Sequence, residues 1–141
     1  MESRKFHSTS IVFEDNGLMI LGKSGSGKSD LALRLIDSGA TLISDDITIC
    51  RKINSQIFLF SPEETKGLLE VREVGVITVP YVENIRLNLI ARLVDEEITR
   101  MPKPENLRIL GIKIPKFRIN GRNPSSIVKV KVKLNEIKNW K

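Results

Sequence analysis

The stretch Gly22-Lys23-Ser24-Gly25-Ser26-Gly27-Lys28-Ser29 decides the fold, because it is a complete G-x-x-x-x-G-K-S motif of the Walker A type. Its glycines allow backbone N–H groups to turn inward and surround phosphate oxygens, an approach that side chains would obstruct. The Lys28 ammonium can reach the terminal phosphates of a nucleotide, and the Ser29 hydroxyl can coordinate Mg²⁺. The motif predicts a P-loop in which residues 22–29 hold the phosphates of ATP together with Mg²⁺.

The residues on either side of the loop have the pattern that a P-loop requires. Residues 18–21 form an apolar run typical of a buried strand, and residues 29–37 have the apolar content of a helix. This helix would point its positive end at the phosphates. Gly39 stands where a C-terminal capping glycine belongs. The order of strand, glycine-rich loop and helix argues against a chance glycine turn.

Apolar periodicity along the rest of the chain predicts mainly strands. A tight turn is predicted at residues 15–17, where Asp-Asn-Gly separates two apolar runs. A short helical turn is predicted at residues 61–64, with Ser61 as its cap and Pro62 as its first helical residue. The segment 84–94 favours a strand, with a helix as the alternative. The other predicted strands are residues 7–13, 41–44, 47–53, 56–60, 74–79, 109–114 and 127–134. The predicted fold class is α/β, with a mixed, strand-rich sheet around a nucleotide-binding core.

Length and composition fit one ordinary domain. The chain has 141 residues, of which 40% are apolar and 28% charged, enough to bury a core without covalent cross-links. Cys50 is the single cysteine, so an intramolecular disulfide is impossible and a reducing compartment is expected. No apolar run reaches the ~18 residues of a membrane span, and the N-terminus lacks the apolar core of a signal peptide. We expect residues 1–141 to form a single cytoplasmic domain.

Positive charge is concentrated at the C-terminal end. Residues 101–141 carry eleven Lys or Arg and two Glu, within a chain of net charge +6. Apolar residues and lysines alternate over 127–134, which favours a half-buried edge strand with solvated lysines over a binding patch for nucleic acid, membrane or an acidic protein. Aromatic residues make up 5% of the chain and do not interleave with the basic ones. We therefore expect no nucleic-acid partner and no membrane partner.

Charged and imidazole side chains stand at five further positions of interest. Asp45 and Asp46 end the strand that follows the predicted P-loop helix, and ligand sites in open α/β sheets lie at the carboxyl ends of strands. One of these carboxylates could face Mg²⁺ or its water shell, and the other could take a proton from a hydroxyl acceptor. A polar strand end is the plain alternative. His7, Glu70 and Arg72 are ordinary surface residues when taken singly.

Together, these spaced motifs resemble the HPr kinase/phosphorylase family over nearly the whole chain. His7 precedes Lys28 by 21 residues, and Asp46 follows Ser29 by 17 residues. Residues 67–77 read GLLEVREVGVI, close to the family signature G-L-L-E-I-R-G-L-G-I-I. The resemblance implies the PEP carboxykinase-like fold of the family's catalytic domain. It implies the short form found in alphaproteobacteria, without a separate N-terminal domain.

The resemblance also implies an activity and roles for individual residues. Such enzymes use ATP and Mg²⁺ to phosphorylate a serine of HPr, a small phosphocarrier of the phosphotransferase system, and so regulate carbon metabolism. Many also remove this phosphate with inorganic phosphate, and the long forms assemble as hexamers. The roles implied are contact with the phosphates for Lys28, base in the forward and acid in the reverse direction for Asp46, a supporting active-site role for His7, and Mg²⁺ ligation for Ser29 and Glu70.

Departures from the family pattern favour kinase over phosphorylase activity. Glu73 replaces a family glycine, and residues 120–123 (NGRN) only partly match a Pro-Gly-Arg-Asn segment tied to the reverse reaction. Arg100 is the candidate for a later catalytic arginine of the family. The residues leave two other functions open: a P-loop kinase for a small metabolite, and a non-catalytic sensor in which ATP orders a protein-binding loop.

Overall fold

The P-loop follows a central strand of a nine-stranded mixed sheet in the computed structural model, which describes residues 2–138 and, for Lys138, the backbone alone. The strands of this sheet are β1 (Ser3–His7), β2 (Thr9–Phe13), β3 (Asn16–Leu21), β4 (Thr41–Ser44), β5 (Ile47–Ile53), β6 (Gln56–Phe60), β9 (Ile85–Leu93), β10 (Glu105–Ile109) and β11 (Ile112–Ile119). A separate hairpin contains β7 (Leu68–Val71) and β8 (Gly75–Thr78). The helical elements are α1 (Lys28–Asp37), α2 (Ser126–Lys138) and a 3-10 turn at Glu63–Thr65. The predicted α/β class with a mixed, strand-rich sheet is confirmed.

The sheet order β1-β5-β6-β9-β3-β2-β4 places β3 and β9 side by side and parallel in the middle. β11 also pairs with β9 in parallel, and β10 continues the sheet beyond β11. Every residue of β3 is buried, and successive side chains enter opposite cores: Leu18 and Ile20 one, Met19 and Leu21 the other. Because both faces are covered, the strand reads as a continuous apolar run.

Strand structure is interrupted at Ser8, so residues 7–13, predicted as a single strand, belong to two strands, β1 and β2. β1 pairs with β5, whereas β2 pairs with β3 and β4. The Ser8 N–H donates to the Asp46 carbonyl at 3.0 Å. The register of β1 then sets His7 opposite Ile47, the residue after Asp46. This interruption therefore places the end of β1 beside Asp46, just after the end of β4.

The ends of α1 follow from local sequence. Gly27 precedes the helix at φ 98° and contributes no side-chain cap, so the first N–H groups stay available to a ligand. At the other end Gly39 has φ 115°; its N–H donates to the Ile36 carbonyl, and that of Ala40 donates to the Leu35 carbonyl. This is the Schellman arrangement expected of a capping glycine.

Most predicted strands and turns are confirmed, with small displacements. Segment 84–94 is a strand, and residues 47–53 and 56–60 form the predicted hairpin. The turn predicted at residues 15–17 lies one residue earlier, at Glu14 and Asp15, whose φ angles are 49° and 66°. These left-handed values give the two-residue connection whose twist matches a hairpin. Neither helix within residues 2–138 has the length and apolarity needed to cross a bilayer.

The predictions for residues 109–114 and for a cap at Ser61 are wrong. Residues 109–114 are not one strand, because Leu110 and Gly111 have φ of 50° and 80° and turn the chain between β10 and β11. The predicted turn near residue 63 exists, but Ser61 does not cap it. The Ser61 N–H instead donates to Glu83 at 3.0 Å, and its hydroxyl accepts a bond from Ser44 at 3.2 Å.

The strand predicted at residues 127–134 is wrong, because this segment lies within helix α2. Its buried residues are spaced by four, four and three positions, which is helical spacing: Ser126, Val130, Leu134 and Ile137. Val128 and Val132, which a strand would place on the face of Val130, are 62% and 61% exposed. β-branched residues favour strands intrinsically, but packing against β9 and α1 overrides that preference.

The lysines of this segment are consequently not an edge-strand feature. Lys131 lies over the Phe13 ring at 5.0 Å and donates to Ser38, and Lys133 pairs with Glu136 at 3.2 Å. Lys131 thus joins α2 to β2 and to the end of α1, whereas the Lys133 pair lies within α2.

Two lysine substitutions distinguish the helix from the strand. Val132→Lys should change the free energy of unfolding by no more than ~0.5 kcal/mol, because the position is exposed. Val130→Lys should lower it by about 3 kcal/mol or more, because it buries an unpaired charge. Urea denaturation measures both. Equal effects at the two positions would contradict the helix, because only a strand puts both side chains on one face.

Candidate functional site

The P-loop adopts the conformation that phosphate binding requires. Gly25 and Gly27 have φ of 79° and 98°, which glycine adopts without strain. The Ser26 N–H donates to the Lys23 carbonyl at 3.0 Å and closes the loop. A Cβ on Gly22 would lie 2.5 Å from the Ser26 Oγ and 3.2 Å from the Leu93 Cβ, so any larger residue there would displace the Ser26 side chain and crowd Leu93. The motif glycines therefore serve both backbone conformation and packing.

Two polar groups of the loop are available to a ligand. The Lys28 Nζ donates to the carbonyls of Gly22 and Lys23 at 2.8 and 3.0 Å, so the ammonium is held across the loop. Burial lowers the pKa of Lys28, against the opposing effect of the Asp46 and Asp45 carboxylates. The Ser26 Oγ is buried without a hydrogen-bond partner among the described residues. An unpaired hydroxyl and an uncapped helix N-terminus together fit an anionic ligand.

Asp45 is buried and links the P-loop helix to two other parts of the chain. Its Oδ1 accepts hydrogen bonds from the Ser29 hydroxyl at 2.7 Å and the Thr9 hydroxyl at 2.9 Å. Its Oδ2 accepts the Glu70 N–H at 3.0 Å. This carboxylate is thus enclosed beside Ser29, where it can orient the Ser29 hydroxyl or join a metal shell.

Asp46 has the opposite environment. Its backbone is left-handed, with a φ of 70°. Its Oδ1 lies 3.6 Å from the His7 Nδ1, and the two side chains are 71% and 76% exposed. This exposed carboxylate beside an imidazole can meet the hydroxyl of a large acceptor.

Glu70 reaches the site through the β7–β8 hairpin. Its N–H contact with Asp45 sets β7 beside the P-loop helix, and Leu69 is buried in the core that receives α1. The side chain of Glu70 is exposed. Gly67 supports the hairpin, because it has φ 74° and a Cβ there would lie 3.2 Å from the Val79 carbonyl oxygen. Arg72, at the hairpin turn, makes no hydrogen bond to the P-loop in the described chain.

The turn of this hairpin contains one departure from the family pattern, and its backbone conformation is one that favours glycine. Glu73 has φ 71°, a left-handed conformation that a glycine adopts without strain. Glu73→Gly should therefore raise the free energy of unfolding by about 0.5–1 kcal/mol, measured by urea denaturation. Glu64→Gly, in the 3-10 turn, is a control that should lower it. A destabilised Glu73→Gly variant would show that the side chain contributes more than its backbone strain costs.

Arg122 braces the tip of the P-loop, a contact that the sequence did not reveal. One guanidinium nitrogen donates to the Gly25 carbonyl at 3.2 Å, and another pairs with Asp95 at 3.0 Å. The loop that carries Arg122 is itself anchored, because Arg34 on α1 donates to the Gly121 carbonyl. Arg100, the predicted catalytic arginine, lines a separate groove with Phe117 and makes no hydrogen bond to the P-loop among residues 2–138.

Removing this brace should weaken nucleotide binding slightly. Arg122→Gln should raise the dissociation constant for ATP about two- to fivefold, because an exposed pair contributes about 0.2–1 kcal/mol and a loosened loop must be ordered on binding. Calorimetry measures the change. Arg108→Gln is the matched control, since Arg108 also donates to a glycine carbonyl, that of Gly111 at 3.2 Å, in a different hairpin. Equal affinities of the two variants would contradict the brace.

The oxygen donors at this site fit Mg²⁺ only when phosphates complete the shell. Ser29 and Asp45 supply hard oxygen ligands within hydrogen-bond distance of each other, and Glu70 is adjacent through its backbone. Within residues 2–138, no three His, Cys, Asp or Glu side chains converge as a metal cage. This donor set matches Mg²⁺, which is commonly held by one or two protein ligands plus nucleotide phosphates.

Comparisons with known proteins agree with this geometry. The family model described as HPr serine kinase C-terminal domain matches residues 1–140. The HPr kinase/phosphorylase of Malacoplasma penetrans is 32% identical over 140 residues, covering 88% of this chain and 46% of that protein. That of Clostridium perfringens is 31% identical over 139 residues, covering 88% and 45%. This chain thus spans about half the length of these relatives.

A solved structure matches nearly end to end. The HPr(Ser) kinase/phosphatase from Coxiella burnetii superimposes with a TM-score of 0.85 at 26% sequence identity, covering 98% of this chain and 99% of that one. The match confirms the catalytic-domain fold that the spaced motifs implied. From the P-loop geometry, the family model and these relatives, the chain belongs to the HPr serine kinase C-terminal domain family.

Proposed function

We propose that this protein is an ATP- and Mg²⁺-dependent protein kinase that phosphorylates a serine of the phosphocarrier protein HPr. The observation that carries the proposal is the division between two adjacent carboxylates: Asp45 is buried against Ser29, and Asp46 is exposed beside His7. The names of the relatives support HPr as the acceptor. The proposed compartment is the cytoplasm, and the proposed role is regulation of carbon metabolism through the phosphotransferase system.

Nucleotide binding would rest on residues 22–29. The backbone N–H groups from Gly25 to Ser29 would surround the phosphates, and the Lys28 ammonium would move from the loop carbonyls to the terminal phosphates. The Ser26 hydroxyl would find a partner in the phosphate oxygens. These contacts position the terminal phosphoryl group and stabilise the charge that develops during transfer.

Ser29 and Glu70 would hold Mg²⁺, with Asp45 beside them as a further ligand or as the acceptor that orients Ser29. The bound ion would neutralise charge on the transferring phosphoryl group. The protein contributes an enclosed carboxylate that fixes the Ser29 hydroxyl, so this ligand needs little reorganisation when the site fills.

Asp46 would accept the proton of the attacking serine hydroxyl while that oxygen forms a bond to the terminal phosphorus and the bond to the ADP oxygen breaks. His7 would keep the carboxylate oriented from 3.6 Å. In the reverse direction, inorganic phosphate would attack phosphoserine, pyrophosphate would form, and Asp46 would return its proton to the serine. The incomplete match at residues 120–123 makes the kinase direction the primary proposal.

The exposure of Asp46 favours a protein acceptor over a small metabolite. Enzymes that phosphorylate small molecules enclose them, and a typical small-ligand site buries 70–90% of its ligand. Asp46 and His7 stand more than two thirds exposed instead. A folded partner that brings its own surface can exclude water from such an open site.

The test is a phosphate transfer assay. The protein is incubated with HPr, Mg²⁺ and ATP, and mass spectrometry looks for a phosphate-sized gain on a serine. We expect the gain with the native chain and with the distant control Lys103→Ala, but not with Lys28→Ala or Asp46→Ala. Excess inorganic phosphate added to phosphorylated HPr tests the reverse reaction. Free nucleosides and sugars, which offer hydroxyl groups as acceptors, test the metabolite alternative.

Two outcomes would overturn parts of the proposal. Absence of transfer by the native chain, with ATP binding intact by calorimetry, would favour a nucleotide sensor. In that case Asp46→Ala should leave the ATP-dependent binding of a partner protein intact, while Lys28→Ala should abolish it. Transfer that survives Asp46→Ala would remove the assigned base.

A further inference from the structure

Three neighbouring strands at one end of the sheet, β1, β5 and β6, share a face that lies outside both cores. β5 pairs residue by residue with β1 on one side and with β6 on the other, so side chains alternate between two faces. The inner face carries residues that are at most 1% exposed: Thr48, Cys50, Ile57 and Leu59. The opposite face, here called the outer face, carries Lys5, His7, Ile47, Ile49, Arg51, Phe58 and Phe60.

The centre of the outer face is apolar. Four half-buried side chains form it: Ile47, Ile49, Phe58 and Phe60. Within the described chain, none of them belongs to a hydrophobic core or packs against one. α1 packs mainly against β2 and β7, and α2 mainly against β9 and α1, so the helices lie mainly over other strands. Apolar side chains grouped on an uncovered face indicate a surface for another molecule.

Basic groups border this apolar centre. Lys5 is exposed, and neither Lys5 nor Arg51 forms an ion pair among residues 2–138. The Arg51 guanidinium lies 4.3 Å from the centroid of the Phe60 ring. The nearby Glu83 carboxylate is already paired with Lys66 at 2.9 Å. The outer face therefore favours a partner that combines apolar groups with carboxylates.

One end of the outer face reaches the candidate site. His7 belongs to this face, and its Nδ1 lies 3.6 Å from the Asp46 Oδ1. Ile47 pairs with His7 and directly follows Asp46. From Ile47 to Arg51 the face extends about 13 Å along β5, at ~3.3 Å per residue. A protein that presents a hydroxyl to Asp46 from the side of His7 would therefore cover the apolar centre.

We propose that the outer face docks the acceptor protein of the kinase reaction through an apolar surface bordered by carboxylates. This inference rests on the proposed function, because it needs an acceptor whose serine reaches Asp46. Carboxylates of the acceptor would pair with Lys5 and Arg51, and its apolar side chains would pack on Ile49 and Phe58. The docked protein would also exclude water from the exposed Asp46 carboxylate.

The composition of the outer face favours a protein over a single-stranded nucleic acid. Sheets that bind such strands stack the bases on open aromatic rings. Here the Arg51 guanidinium already lies over the Phe60 ring, and two aliphatic side chains, Ile47 and Ile49, share the centre with the rings. Aliphatic and aromatic groups with a basic border are typical of a surface that packs against protein side chains.

The test measures phosphate transfer to HPr by the full chain and separates kcat from KM. Lys5→Glu should raise the KM for HPr about five- to tenfold, because the new carboxylate repels those of the acceptor. The kcat and the KM for ATP should stay within about twofold, because the P-loop is unchanged. Arg4→Glu is the matched control: Arg4 is the adjacent exposed cation, also without a described ion pair, and it lies on the opposite face. It should leave the KM for HPr within about twofold.

Ile49→Asp tests the apolar centre. It should raise the KM for HPr by about tenfold or more, because a carboxylate replaces an apolar contact and repels the acceptor. Val132→Asp, at an exposed position of α2, is the control and should leave this KM unchanged. Circular dichroism checks that Ile49→Asp is folded, and if it is not, Lys5→Glu decides the question alone. In the ¹⁵N-labelled chain with Mg²⁺ and ADP, unlabelled HPr should shift the backbone amides of residues 47–51 and 58–60.

The outcomes separate this inference from the proposed function. Native KM values for HPr in Lys5→Glu and in folded Ile49→Asp would overturn the docking surface and leave the kinase intact. Equal increases in Lys5→Glu and Arg4→Glu would also overturn it, because the effect would not depend on the face. Absence of transfer by the native chain would overturn the proposed function and this inference with it. Binding of a poly-uridine strand or phosphatidylserine vesicles that Lys5→Glu abolishes, at an unchanged KM for HPr, would assign the outer face to that partner instead.

Discussion

Asp46→Asn should lower the rate of phosphate transfer from ATP to HPr by about 10²–10⁴-fold, the usual contribution of a positioned general base. Asparagine keeps the size of the side chain and tolerates the left-handed backbone at φ 70°, so the variant loses little except the ability to accept a proton. ATP affinity should stay equal or become slightly tighter, because the carboxylate repels phosphates. Single-turnover mass spectrometry measures the transfer, and calorimetry measures the affinity.

Asp15→Asn is the matched control for this prediction. Asp15 is also exposed and also left-handed, with φ 66°, but it belongs to the β2–β3 turn. Its replacement should change neither transfer nor affinity. If Asp46→Asn transferred phosphate at the native rate, another group would have to take the serine proton, and the division of roles between the two carboxylates would be wrong.

Asp45→Asn should affect stability and metal-dependent binding together. Asp45 accepts three hydrogen bonds with two oxygens, from Ser29, Thr9 and the Glu70 N–H. Asparagine has one oxygen, so its amide nitrogen would face at least one of these donors. We expect a loss of about 1–3 kcal/mol in the free energy of unfolding, together with a loss of the Mg²⁺-dependent part of ATP binding. Urea denaturation and titrations with and without Mg²⁺ measure the two effects.

Comparing Asp46→Asn with Asp45→Asn separates the effect of losing a buried carboxylate from the effect of losing a negative charge. Asp46→Asn should alter the free energy of unfolding by no more than ~0.5 kcal/mol, since Asp46 is exposed. A double-mutant cycle between Asp45→Asn and Ser29→Ala should show a coupling of about 0.5–3 kcal/mol, because the two side chains share a hydrogen bond. Additive effects would indicate that Ser29 and Asp45 act independently.

Features encoded over a few consecutive residues could be predicted. The P-loop, the start and end of α1 and the β5–β6 hairpin depend on glycines, local turns and short apolar runs, and all are present. The α2 segment could not be predicted in this way. Its alternating valines and lysines satisfy a strand pattern, and only burial of Val130 and Leu134 against β9 and α1 selects the helix.

The candidate site likewise contains residues that the sequence could identify and contacts that it could not. The sequence and its motif spacing named His7, Lys28, Asp46 and Glu70, and the fold brings His7 beside Asp46 and sets Glu70 next to Asp45. The contacts of Asp45 with Thr9 and of Arg122 with Gly25 join positions 36 and 97 residues apart. No local sequence pattern encodes such contacts, since they depend on the order in which the strands lie in the sheet.

The sequence by itself determined that this protein has a phosphate-binding loop between a buried strand and a helix, because glycine geometry and helix polarity act within a dozen residues. Only the tertiary structure decided that Asp45 is enclosed and Asp46 exposed, and that residues 126–138 are helical. The physical reason is that burial is a property of neighbours, and these neighbours come from distant parts of the chain.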